Sequence, residues 1–100
     1  MIVDRRTYNI KLGQAAKAVE LLTAELVAAK EAGHSYGYRV YVCQIGQWGQ
    51  VAVEFEFENL AQQETFWSGW GAKNPDFIKD WFGLNQGEIQ IAIWDLVTSG

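Results

Sequence analysis

Residues 51 to 58, VAVEFEFE, place an apolar side chain at every second position and therefore predict a β-strand. The opposite face of this strand would carry a row of three carboxylates, from Glu54, Glu56 and Glu58. Such a row favours solubility where it meets water, whereas inside an enclosed space its charges need partners. The location of this face therefore decides what the strand contributes to function.

The segments before this strand predict two further strands and a long helix. Residues 2–10, IVDRRTYNI, and 36–45, YGYRVYVCQI, are rich in β-branched and aromatic residues and predict strands. Between them, residues 14–32 repeat Ala, Val and Leu at helical spacing and end before Gly33, which predicts a helix. The sequence GQWG before residue 50 is typical of a hairpin connection, so we expect the strands on either side to pair.

The second half of the chain predicts a broken helical arm and a last strand. Asn59 and Gln62 form a variant of the capping box and begin a helix that runs to about Gly71. Asn, Pro and Asp at 74–76 begin a second helical piece. Residues 88–97, EIQIAIWDLV, alternate and predict a strand.

The resulting order, β-α-β-β-α-β, predicts a single α+β domain over residues 1–100. With right-handed crossovers this order gives the ferredoxin-like fold, a four-stranded antiparallel sheet with helices on one face. The second and last strands are apolar on both faces, as Tyr38 and Tyr41 or Ile91 and Trp94 illustrate. Because soluble monomers rarely expose so large an apolar patch, we expect a homodimer in which a second copy covers the open face.

The opening IVDRRTYNIKLG resembles the N-terminal signature of the NIPSNAP family. Arg6, Thr7 and Tyr8 match its usual Arg-Thr-Tyr, while Arg5 and Leu12 depart from its usual apolar residue and proline. The VEFEFENLAQQE passage and the last strand fit the same pattern, so the resemblance covers nearly the whole chain. It implies a dimeric α/β barrel whose two sheets enclose a central cavity.

Composition excludes several classes of partner. The net charge is −4 and the eight basic residues are scattered, which argues against a nucleic-acid partner. No apolar run approaches the ~20 residues that a membrane span requires. The single Cys43 and the lack of a leader-like start favour a cytoplasmic location. One His and one Cys without ligand spacing predict no metal site, and the sequence suggests no cofactor.

The candidate ligand site combines the first and third strands. These strands are central neighbours in the predicted sheet, so we expect Arg6 and Tyr8 to lie beside Glu54 and Glu56. The arrangement fits a polar ligand site with Arg6 as anion anchor, or a structural ion-pair network. We expect Arg5 to point the other way, to the sheet edge or a helix end.

Two residues are candidates for acid–base chemistry. Glu54 could act as a base in the cavity, and His34 has a normal pKa suited to proton transfer near neutrality. A catalytic His34 would need Tyr36 and Tyr38 to lead from it into the cavity. The alternative is a solvated histidine stabilised by a helix C-terminus.

Aromatic residues in the helical arm have two interpretations. Trp67 and Trp70, with Phe77, Trp81 and Phe82, recur at roughly helical spacing and fit packing onto the sheet. The alternative is a ligand mouth in which the broken arm gates a planar substrate.

Three functions therefore remain open. The first is a homodimer that binds a small aromatic or amphipathic molecule in its cavity. The second, implied by the resemblance, is a cofactor-independent monooxygenase or isomerase of the antibiotic-biosynthesis-monooxygenase type. The third is a structural or adaptor dimer without a ligand, because fold alone does not choose among functions.

Overall fold

The computed structural model describes residues 1–33, 36–46, 48–70 and 74–100. These residues form four strands and three helices in the order β-α-β-β-α-α-β. The elements are β1 Ile2–Asn9, α1 Ala15–Glu31, β2 Gly37–Val42, β3 Gln50–Phe57, α2 Leu60–Trp70, α3 Pro75–Leu84 and β4 Gln90–Asp95.

The strands form one antiparallel sheet in the order β2-β3-β1-β4, with β1 and β3 at its centre. This topology confirms the predicted ferredoxin-like α+β fold, and the predicted helical arm consists of α2 and α3. The outer strands are shorter than predicted, because β2 ends at Val42 and β4 spans only Gln90–Asp95. None of the described helices is long and apolar enough to cross a bilayer.

The arm begins with the predicted cap at Asn59. The backbone N–H of Gln62 donates to the Asn59 side chain at 3.0 Å, and the Gln62 side chain accepts from the N–H of Glu58 at 2.9 Å. The reciprocal bond thus reaches one residue further back than in a standard capping box. Pro75 occupies the start of α3 as predicted, although Asn74 makes no side-chain cap bond.

The core lies between one face of the sheet and the helices. The side of α1 that faces the sheet buries small and branched residues at helical spacing, from Ala18 to Ala29. On the sheet side, β3 contributes the predicted alternating set, of which Phe55 is the centre of an aromatic cluster. The buried sheet residues on this face are Ile2, Asp4, Tyr8, Val51, Val53, Phe55 and Phe57.

The opposite, open face of the sheet carries two ion pairs. Arg5 Nη1 lies 2.8 Å from Glu54 Oε2, and Arg39 Nη1 lies 2.8 Å from Glu56 Oε1. The Tyr41 hydroxyl donates to the second oxygen of Glu54 at 3.0 Å. Two carboxylates of the row, Glu54 and Glu56, are therefore partnered within the chain.

The prediction that Arg6 partners this row was wrong. The register pairs Arg5 with Glu54 and Arg6 with Val53, so Arg5 shares the face of the glutamates. Arg6 and Tyr8 lie on the helix-covered face, two residues apart on β1. The expectation that Arg5 turns to the sheet edge was wrong for the same reason.

Candidate functional site

A buried carboxylate organises the helix-covered face of β1. Asp4 is 0% exposed and is the one buried charged side chain within the described ranges. It accepts hydrogen bonds from Arg6 Nε at 3.1 Å and Arg6 Nη2 at 3.3 Å. It also accepts from Gln63 Nε2 at 3.1 Å and Trp67 Nε1 at 2.9 Å, so it connects β1 to α2.

Arg6 is held on two sides. Asp4 binds its Nε and Nη2 edge, and its guanidinium carbon lies 3.6 Å from the centre of a Trp67 ring. Contact with an aromatic face stabilises a cation, most strongly where water is excluded. No described residue accepts a hydrogen bond from Nη1, which leaves donors on that edge of the guanidinium.

A cavity of about 290 Å³ lies beside Arg6, between the sheet and the helical arm. Its volume is near the lower end of those of small-molecule sites, and its walls are mostly aromatic and aliphatic. Arg6, Tyr8 and Asn74 contribute the polar atoms. The apolar lining consists of Leu22, Val53, Phe55, Trp67, Trp70, Phe77, Ile78, Trp81, Phe82, Ile89 and Ile91.

Tyr8 is nearly enclosed at one side of this cavity. Its ring packs edge-on against Trp81, with centroids 4.9 Å apart. Burial raises the pKa of the Tyr8 hydroxyl above its ordinary value, and the nearby Arg6 guanidinium offsets this rise only in part. The hydroxyl therefore stays protonated near neutral pH and can donate a hydrogen bond.

The aromatic wall is fixed by contacts to both arm helices. Trp70 donates its indole N–H to Glu25 of α1 at 3.1 Å, and its ring packs against Phe77 at 5.7 Å. Phe77 in turn stacks on Trp81 at 5.9 Å. These contacts orient the rings that a planar ligand would meet.

Half of the predicted ligand-binding set lines the cavity. Arg6, Tyr8, Trp67 and Trp70 come together there, as the ligand-mouth interpretation of the arm requires. Their roles in binding stay predictions.

The other predicted site residues lie elsewhere. Tyr36 and Tyr38 line a separate narrow gap beside α1. Glu54 and Glu56 lie on the open face of the sheet, away from the helices. His34 falls outside the described residues, so its predicted catalytic role stays a prediction.

Sequence reasoning missed Asp4. The signal was present in the sequence. The apolar residues Ile2, Tyr8 and Ile10 all occupy even-numbered positions, and side chains at even-numbered positions of β1 share one face, which assigns that face to the core. Asp4 and Arg6 then share that face at a spacing of two, which favours an ion pair. As for metals, the described residues contain no group of three or more His, Cys, Asp or Glu side chains that could hold an ion.

The strand order and the helices on one face of the sheet define a ferredoxin-like α+β protein. The sequence model of the NIPSNAP family matches residues 3–81, and the chain belongs to that family. No curated protein sequence gives a significant match.

Solved structures share this fold at low sequence identity. A protein from Agrobacterium tumefaciens has 16% identity and a TM-score of 0.82, with 95% of this chain and 92% of that chain covered. A NIPSNAP family protein from the same organism has 21% identity and a TM-score of 0.75, with 93% and 90% covered. A putative antibiotic biosynthesis monooxygenase from Deinococcus radiodurans has 19% identity and a TM-score of 0.74, with 99% and 95% covered.

Proposed function

We propose that this protein is a homodimer that binds a small aromatic or amphipathic molecule in the cavity between the sheet and the helical arm. The observation that carries the proposal is the aromatic-walled cavity of about 290 Å³, with the donors of Arg6 and Tyr8 at one side. Binding sites of this kind combine apolar walls with a few placed polar groups. The volume suits a ligand of one or two fused rings.

The proposed site differs from the predicted one in its location. A lumen between two sheets would be lined by Glu54 and Glu56, whose charges are already partnered by Arg5 and Arg39. The cavity beside Arg6 lies within one protomer and does not require residues from a second copy. Each protomer of the dimer would therefore bind its own ligand.

The open face supports the homodimer. Trp94 is 61% exposed there, and Leu96 is also exposed. They border the Arg5–Glu54 pair in a shallow depression that Val3 completes. Because Glu54 and Glu56 are each paired with an arginine on this face, a second copy can cover them around a two-fold axis without leaving these two carboxylates unpaired.

The ligand proposal is tested by thermal unfolding against a panel of naphthols, quinones, indoles and short amphipathic molecules. A ligand that binds only the folded state stabilises it by about 2.7 kcal/mol at a hundred times its Kd, which raises the Tm of a domain of this size by roughly 10–20 °C. Filling the cavity with Ile78→Trp should abolish the shift. The same substitution at exposed Val27 on α1 should leave it intact.

The panel also decides between binding and the adaptor hypothesis. If the wild-type protein unfolds in a clear thermal transition and no ligand of the panel raises its Tm, the ligand proposal fails. An adaptor dimer without a ligand would then be the better description. Light scattering coupled to size exclusion tests the dimer separately, and a stable monomer at micromolar concentration would contradict it.

A second candidate is a cofactor-independent monooxygenase or isomerase. The observation that favours it is the shared fold with a putative antibiotic biosynthesis monooxygenase, at a TM-score of 0.74. In such an enzyme Arg6 and Tyr8 would position an oxygen atom of a phenolic substrate inside the cavity, and the substrate would supply the reactivity.

Oxygen consumption on phenols tests this enzyme. We expect activity to be lost in Arg6→Met and retained in Glu54→Gln, whose side chain lies on the open face. Loss of activity in Glu54→Gln alone would indicate that the active site lies in the lumen between the two sheets of the dimer. Loss in His34→Ala alone would support the predicted catalytic histidine.

A further inference from the structure

We propose that Asp4 makes the cavity selective for electrically neutral ligands that carry a hydrogen-bond acceptor, and makes it reject carboxylates and phosphates. This selectivity presupposes the ligand-binding function proposed for the cavity. Asp4 acts through Arg6, so it is a positioning residue rather than a group that touches the ligand.

The first observation is that the charge of Arg6 is already balanced. The Asp4 carboxylate is 0% exposed and binds the guanidinium through Nε at 3.1 Å and Nη2 at 3.3 Å. The Arg6 side chain is itself only 18% exposed, so water screens this pair weakly. The cavity therefore meets a guanidinium that offers N–H donors but, together with Asp4, little net positive charge.

The second observation is a second carboxylate at the same wall. Glu25 accepts the indole N–H of Trp70 at 3.1 Å, just as Asp4 accepts that of Trp67 at 2.9 Å. Both of these indole donors are consequently occupied by the protein. Two carboxylates and one guanidinium thus contact residues that line the cavity.

A bound anion would be unfavourable in this setting. Its carboxylate would compete with Asp4 for Arg6 and would add a second negative charge beside apolar walls. The cost of removing an ion from water is repaid only where an opposite charge is available for it. In this cavity the available opposite charge is already used.

A neutral acceptor is accommodated without that cost. A carbonyl oxygen can accept from Arg6 Nη1, for which the described part of the chain provides no acceptor, and from the Tyr8 hydroxyl. Its ring would lie against the aromatic wall. The class of ligand is therefore a planar aromatic amide, ketone or quinone, and not an aromatic acid.

The matched pair 2-naphthamide and 2-naphthoate tests this selectivity, because the two molecules have the same shape and differ in charge. Naphthalene serves as a third probe without polar atoms. Each is titrated at pH 7.5 into the wild-type protein, with quenching of the cavity tryptophans as the signal. We expect naphthamide to bind at least about tenfold more tightly than naphthoate.

Replacing Asp4 identifies the cause. Asp4→Asn leaves the charge of Arg6 unbalanced, so the ratio of naphthamide to naphthoate affinity should fall at least about tenfold or invert. Asp80→Asn, the same change on the exposed side of α3, should leave the ratio unchanged. An unchanged ratio in a folded Asp4→Asn variant would overturn the role of Asp4.

Arg6→Met keeps the test decisive if Asp4→Asn does not fold. This variant removes the guanidinium donors, so naphthamide should lose its advantage over naphthalene. Equal losses for both ligands would contradict the proposed contact with Arg6.

The outcomes for the wild-type protein separate the two proposals. Naphthoate binding as tightly as naphthamide would overturn the selectivity and leave ligand binding intact. Failure of all three probes to bind, naphthalene included, would instead overturn the ligand-binding function and this inference with it.

Discussion

Arg5 and Arg6 are consecutive residues on one strand, yet they lie on opposite faces of the sheet, which differ in their exposure to water. Arg6 lies under the helices and binds the fully buried Asp4, whereas Arg5 lies on the open face and is 44% exposed beside Glu54. On the covered face, charges are removed from water and depend on their partners. On the open face of a single chain, solvent and salt screen the pairs, and their contribution to stability is small. The alternation of a single strand thus separates a cavity-forming ion pair from a surface network.

The largest expected effect is at Asp4. Asp4→Ala removes the shared acceptor of three side chains and leaves the Arg6 charge without a partner in a buried setting. Breaking a buried ion pair in this way costs about 3–5 kcal/mol of unfolding free energy. Urea denaturation followed by tryptophan fluorescence measures the loss.

The matched change on the open face is Glu54→Ala. Measured in a Trp94→Glu background that keeps the chain monomeric, it breaks the Arg5 pair and the Tyr41 hydrogen bond at a partly exposed position, so we expect a loss of no more than about 1 kcal/mol. Equal losses at Asp4 and Glu54 would show that the two faces do not differ in this way.

A smaller effect on folding but a large effect on association is expected at Trp94. Trp94→Glu places a charge in the apolar part of the open face and should weaken the proposed dimer at least about 30-fold. Analytical ultracentrifugation over a range of concentrations measures the dissociation constant.

Val27→Glu provides the control for association. Val27 is an exposed apolar residue of α1, and α1 packs against the covered face of the sheet. If both variants dissociate the dimer, or neither does, the open face is not the dimer interface.

The sequence predicted the fold because each element carries local signals that agree with one another. The spacing within α1, the capping residue Asn59, Pro75 at the start of α3 and the alternation of β3 are properties of short segments. The order of these elements then leaves few topologies. What failed was the face of β1, where polar and apolar residues are mixed and the alternation that assigns Arg6 to the core is weaker than that of β3.

The site was predictable only in part for the same reason. Trp67 and Trp70 were recognised as possible ligand contacts because large aromatics in a helical arm must pack against something. Asp4 was missed because a carboxylate between apolar residues ordinarily indicates an exposed position. Its partners Gln63 and Trp67 are far away in the chain, and the helical arm brings them to it only in three dimensions.

A modest effect is expected for the second ion pair of the open face. A double-mutant cycle of Arg39→Ala and Glu56→Ala in the Trp94→Glu background should give a coupling of about 0.2–1 kcal/mol that falls with added salt. The background keeps the chain monomeric, so the pair stays exposed to solvent. A larger, salt-independent coupling would mean that the open face excludes water without a second copy.

The smallest effect concerns Tyr8 and Tyr41, whose hydroxyl pKa values are raised for different reasons. The hydrogen bond to Glu54 raises the pKa of Tyr41, whereas burial raises the pKa of Tyr8. Glu54→Gln should therefore lower the pKa of Tyr41 toward its ordinary value of 10.0 and leave Tyr8 unchanged. Absorbance at the tyrosinate band, compared among wild type, Tyr41→Phe and Tyr8→Phe, assigns each transition.

Both shifts contribute to the pH dependence of stability, and the Tyr8 shift should contribute more. Its folded-state pKa lies above the unfolded value, so its contribution is complete below the ordinary value of 10.0 and is lost as pH rises through the folded-state pKa. Tyr8→Phe should flatten the fall of unfolding free energy in that alkaline range, and Tyr41→Phe should flatten it less, because solvent weakens the Tyr41–Glu54 hydrogen bond on the open face. If Tyr41→Phe flattened the slope more than Tyr8→Phe, the pKa shift on the open face would contribute more to stability than the shift caused by burial, and the contrast between the two faces would be reversed.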